Sequence, residues 1–121
     1  MEEIIRKYFK AWIDKDADAL RGIFSEDAVY SECWGPEYHG AAQILQWFSD
    51  WNTKGDVLEW TIKRTMAHER TLVAEWYFKC SWEGSVDGFD GATIADFDDD
   101  DRIVRLCEYK SDPEHYLPYG E

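Results

Sequence analysis

The chain has no run of about 18 apolar residues, the length a membrane-crossing helix requires. Its amino terminus, MEEIIRKYF, reads as an amphipathic helix and not as a charged segment followed by an apolar block. A soluble, cytoplasmic protein is expected on that basis. Basic residues are scarce: 13 Lys and Arg stand against 26 Asp and Glu, a formal net charge of −13. Binding to phosphate-bearing partners depends on Lys and Arg displacing counterions, so neither nucleic acid nor an anionic membrane is an expected partner. Cysteine is sparse too. Cys33, Cys80 and Cys107 are odd in number and form no CxxC pair, which argues against a disulfide framework and for free buried thiols. His39, His68 and His115 lie far apart with no second His or Cys at ligand spacing, so no zinc site, no other metal and no cofactor is expected. The acidic run ADFDDDDR imitates a calcium loop at Asp96, Asp98 and Asp100. However, Asp101 stands where that loop needs glycine and Cys107 where it needs a bidentate Glu. A solvated hairpin turn, with an Asp in the left-handed conformation, is the better account.

Large rings are abundant instead: seven Trp, seven Tyr and six Phe among 121 residues, a length that suits a single domain spanning 1–121. Ile5, Tyr8, Phe9 and Trp12 recur at helical spacing, which predicts a first helix over about residues 2 to 14. Asp16 can cap a second helix carrying Leu20, Ile23 and Phe24. The segment AVYSE is short and β-prone and stops at Gly35-Pro36; a third helix follows Gly40 with Ile44, Trp47, Phe48 and Trp51 on its buried stripe. From Val57 the period becomes two. One strand places Leu58, Trp60, Ile62, Arg64 and Met66 on one face, and the next does the same with Leu72, Ala74, Trp76, Phe78, Cys80 and Trp82. Two further strands, about Phe89 to Phe97 and Arg102 to Lys110, complete an antiparallel meander. The whole reads as an α+β domain with three helices ahead of the sheet.

This order, with YFKAWIDKDADALRGIFSEDAVYSE at the front and GATIADFDDDDRIVRLCEY near the end, resembles the cone-shaped nuclear transport factor 2-like (NTF2-like) superfamily over about residues 4 to 111. Within it the chain is similar to the SnoaL-like and ketosteroid isomerase-like branch. The resemblance implies three helices packed on a strongly curved antiparallel sheet, a pocket between the concave face and the helices, and a homodimer formed through the outer sheet face. In the isomerase branch a carboxylate on the first short strand moves a proton, and a Tyr and a protonated Asp hold the enolate oxygen. Glu32 and Tyr8 match the first two positions, which makes them the catalytic candidates. The third falls on Thr93, so half of that oxyanion hole is absent and steroid isomerisation itself is not expected.

Strand alternation extends the set of inward positions. If Glu32 faces inward, so does Tyr30, with Trp34 at the mouth and Cys33 pointing away. Trp12, Trp47, Trp51, Trp60, Arg64, Trp76, Phe78, Thr93 and Glu108 join them as candidate ligand-binding residues, with Lys110 next inward after Glu108. Glu32 and Arg64 could form a structural ion pair, which would lower the carboxyl pKa; an unpaired Glu32 among rings would have it raised. Three readings stay open. One is an isomerase- or lyase-like enzyme acting on an apolar or amphipathic carbonyl-containing molecule, with Glu32 as base. The others are a noncatalytic small-molecule binder and a protein-association domain whose cone is filled by its own side chains.

Overall fold

The computed structural model describes residues 1–112 and 114–120. Helix α1 (Glu2–Asp14) buries Ile5, Tyr8, Phe9 and Trp12, the positions its periodicity marks, and ends at Lys15 in the left-handed conformation. The second helix expected from Leu20, Ile23 and Phe24 does not form. Asp18–Leu20 makes a single 3-10 turn, Gly22 takes φ 82°, and strand β1 (Phe24–Ser31) begins two residues later. A turn followed by a strand buries the same three side chains. Asp16 still caps, its carboxylate accepting the Ala19 N–H at 3.2 Å. The domain therefore has two α-helices among the described residues, not three.

Strand β2 (Glu37–His39) folds back on β1 as an antiparallel hairpin, and α2 (Ala41–Trp51) starts after Gly40, whose φ of 91° suits glycine. Strands β3 (Gly55–His68), β4 (Thr71–Trp82), β5 (Ser85–Phe97) and β6 (Ile103–Ser111) form the meander. The sheet order is β2-β1-β6-β5-β4-β3, and β1 pairs with β6 in parallel, so the sheet is mixed and not wholly antiparallel. At the β5–β6 turn Asp101 takes φ 61°, and the Asp98 carboxylate accepts the backbone N–H groups of Asp100 and Arg102.

Strict alternation fails in β3. Its pairing with β4 shifts register between Val57 and Glu59 and again between Ile62 and Arg64. Each extra residue moves every later side chain to the opposite face. Val57, Trp60, Ile62 and Thr65 therefore turn toward the core side, while Leu58 and Met66 are exposed. Arg64 is corrected with them: it lies opposite Glu75 on the outer face, exposed, with its Nη2 3.2 Å from the Glu75 carboxylate.

Strand β4 alternates without a break, burying Leu72, Ala74, Trp76, Phe78 and Cys80. Trp76 lies opposite Gly91, where a Cβ would collide with both the Trp76 ring and the Tyr109 backbone carbonyl. Gly91→Ala is therefore expected to destabilise the domain by about 1–3 kcal/mol through overpacking. Urea denaturation of the variant beside the parent checks this.

Candidate functional site

The concave face and the two helices enclose a small apolar pocket. Tyr30 from β1, Val57 and Trp60 from β3, Trp76 and Phe78 from β4, Phe89 from β5 and Glu108 from β6 form one side. Trp12 of α1, Trp47 and Trp51 of α2, and Cys33 and Trp34 of the β1–β2 turn complete it. The rings hold one another by edge and stacking contacts, among them Trp60 flat on Phe9 at 3.8 Å and edge-on to Trp76 at 5.5 Å. The pocket is partly open to solvent, and the space left within it is about 30 Å³, room for only one or two waters. Trp34, 45% exposed, also lines an outer groove of about 500 Å³ beside Trp51 and Trp82. Lys110, on the exposed end of β6, places its ammonium 5.5 Å from the Trp34 ring and 5.6 Å from that of Phe89.

The polar centre of this pocket is a chain of three side chains that the sequence holds far apart. Tyr8 donates to the Tyr30 hydroxyl at 2.7 Å, and Tyr30 donates to Oε2 of Glu108 at 2.6 Å. Parallel pairing sets Tyr30 against Leu106 and so brings it within reach of Glu108. Burial among the rings pushes the Glu108 carboxyl up to about 8; the Tyr30 bond opposes that rise and the nearby Glu32 charge adds to it. Glu108 is thus mostly a neutral acid at pH 7. Both tyrosines are held well above the ordinary phenol range, first by burial and then by the Glu108 charge, so they remain neutral donors. With Oε2 occupied by Tyr30, Oε1 is the oxygen left to carry the acid proton, and it has no partner among the described residues.

Two indoles of the pocket lack partners as well. The buried Nε1–H groups of Trp12 and Trp60 have no hydrogen-bond acceptor among the described residues. Trp12 lies near enough to the Tyr8 hydroxyl to restrain its pKa but makes no bond of normal geometry, so Trp60 is the clearer orphan. Trp76 differs: its indole donates to the buried Thr93 hydroxyl at 2.9 Å. Thr93 is thereby occupied and does not line the pocket. Its partner across the β5–β6 ladder is Glu108, so an acid stands one strand away from the position at which the isomerase pattern has one.

Four of the candidate residues do not line this pocket. Tyr8 is fully buried behind Tyr30 and acts only through it; Thr93 is spent on Trp76; Arg64 is on the outer face. Glu32 opens on an adjoining groove, where it accepts from the Tyr38 hydroxyl at 2.7 Å, and burial raises its pKa. Strand β1 ends at Ser31. Beyond it Glu32 and Gly35 are held in a turn by bonds from Glu32 N–H to the Pro36 carbonyl and from Gly35 N–H to the Glu32 carbonyl, so alternation no longer applies. The same turn brings Cys33 into the pocket wall instead of away from it. Its thiol, pushed up to about 12 by burial, is inert. Phe89 and Val57 were missed. Phe89 could have been found, since it shares the period-two face of Thr93; Val57 could not, because a bulge sets its direction.

Comparison with known proteins agrees with this architecture. A protein from Catenulispora acidiphila with a ketosteroid isomerase-like fold, solved in complex with trimethylamine, is 21% identical, superposes with a TM-score of 0.80, and the match covers 90% of this chain and 85% of that one. An LEH-like epoxide hydrolase of Mycobacterium tuberculosis is 16% identical with a TM-score of 0.81, the match covering 90% of this chain and 80% of that one. An NTF2-like protein of unknown function from Burkholderia xenovorans is 18% identical with a TM-score of 0.76, covering 98% and 88%. No curated protein matches the sequence. The solved structures share an NTF2-like fold with this chain, and the family model of the SnoaL-like domain matches residues 5–106, so the chain belongs to the SnoaL-like family.

Proposed function

We propose that the domain binds a small carbonyl-bearing molecule, its oxygen accepting hydrogen bonds inside the aromatic pocket. The observation that carries this reading is that one aromatic pocket is walled both by Glu108, whose Oε2 accepts from Tyr30, and by Trp60, whose buried indole N–H has no acceptor among the described residues. An unpaired buried donor such as the Trp60 N–H costs about 1–3 kcal/mol, and a carbonyl oxygen entering the pocket would offer that N–H and the protonated Glu108 carboxyl an acceptor. The space left admits only the small end of such a ligand, with the rest extending past Trp34. A neutral acid donating to a carbonyl also polarises it, which is the first requirement of enolisation.

Cyclopentanone is a suitable probe, because its carbonyl is small enough for this space while its ring stays at the open mouth beside Trp34. Its titration is expected to shift the Trp60 indole N–H resonance saturably. Glu108→Leu should weaken that binding about tenfold, the worth of one such hydrogen bond. Affinity should also fall as pH rises through about 8, because ionised Glu108 no longer donates. Equal binding of cyclopentane, or no saturable shift, would remove the proposal. The small volume left favours a second reading, an association domain whose cone is filled by its own rings. A failed titration together with self-association or partner capture would support it.

A further inference from the structure

A second recess adjoins the pocket and shares Trp47 and Trp51 with it. This groove, about 640 Å³, is also lined by Tyr38, Trp82, Glu32 and Asp50. Its aromatic members come in two pairs: Tyr38 stacked on Trp47 at 4.6 Å, and Trp51 against Trp82 at 5.3 Å. Glu32 is half-buried and accepts a bond only from the neutral Tyr38 phenol; among the described residues neither it nor Asp50 has an ion-pair partner. Lys54, the cation of this wall, turns its ammonium to Glu83 at 3.9 Å.

Aromatic rings attract cations through their negative faces, and a partly desolvated carboxylate without a counter-charge gains most from one. No group of metal-ligating side chains is present among the described residues, and rings suit a weakly hydrated organic cation better than a hard metal ion. We infer that this groove is a subsite for an organic ammonium group, held between the Trp51–Trp82 pair and Glu32. The inference rests on the pocket reading for the other end of the ligand: a carbonyl at Glu108 and an amine at Glu32 would define an amphipathic amino-carbonyl compound.

Choline and its uncharged carbon isostere, titrated at constant ionic strength, test this. Choline is expected to shift the Trp51 and Trp82 indole N–H resonances saturably, and the isostere to bind at least about tenfold more weakly. Glu32→Gln and Trp82→Leu, one isosteric and the other at a partly exposed site, should each weaken choline about tenfold. At pH 6, where Glu108 is protonated with or without the Glu32 charge, both should leave cyclopentanone binding at Trp60 unchanged. Equal binding of the two probes, or no effect of either variant, would overturn the groove assignment. Loss of cyclopentanone binding with choline retained would overturn the pocket reading and leave the groove.

Discussion

Glu108→Gln is expected to abolish much of the stability loss that the domain undergoes as pH rises from the ordinary carboxylate range to about 8. The sign follows from proton uptake in the two states. Below the ordinary range Glu108 is protonated whether the chain is folded or not, and it contributes nothing to pH dependence. Above it the unfolded carboxyl ionises, while the folded one, held up to about 8 chiefly by burial, does not. The unfolded state then binds fewer protons, so stability falls with rising pH and levels off once the folded carboxyl ionises. A tenfold difference in proton affinity between the two states is worth about 1.4 kcal/mol, and the fall attributable to this group is on the order of a few kcal/mol. Glutamine keeps an oxygen for Tyr30 to donate to and cannot ionise. Urea midpoints of parent and variant across this pH range should diverge on the acidic side and converge on the alkaline side, apart from a constant offset. Parallel curves would show that Glu108 titrates normally.

Trp76→Ala is expected to cost about 3–5 kcal/mol, the range for removing a large buried ring. Trp76 is 1% exposed and meets Phe9, Trp60, Phe78 and Phe89 edge-on. Gly91 opposite it has no side chain to fill the void. The truncation also strands the Thr93 hydroxyl, whose donor is the Trp76 indole. Against a typical total of about 5–15 kcal/mol, this loss should lower the thermal midpoint by many degrees. A loss below about 1 kcal/mol would mean that the pocket wall collapses onto the vacancy and is less rigid than its contacts indicate.

These effects were unequally legible in the sequence. Helix α1 and strand β4 could be read residue by residue, because each buries one face against a single partner layer and the hydrophobic period records it. Strand β3 could not, because its two bulges arise from bending the sheet around the helices. The composition of Val57 to Met66 alternates on both sides of each insertion. Arg64 was placed inside for that reason. The false second helix has a different cause: Leu20, Ile23 and Phe24 fit a helix face, yet Gly22 at positive φ ends the turn and lets a strand satisfy the same burial. Alternation along β6 did turn Glu108 inward. Its acidity, however, depends on Tyr30, 78 residues away in sequence and brought near by a parallel pairing that a meander does not suggest. Glu32 and Cys33 exchanged roles because strand β1 stops one residue before them.

The central claim is that Glu108 is a neutral acid presented to an aromatic pocket. Its most direct test is a carbon-detected NMR titration of the Glu108 side-chain carboxyl in the ligand-free domain. A midpoint near 8 is the predicted result. A midpoint in the ordinary glutamate range, near 4.5, would contradict it and with it the proposal that this group donates to a bound carbonyl.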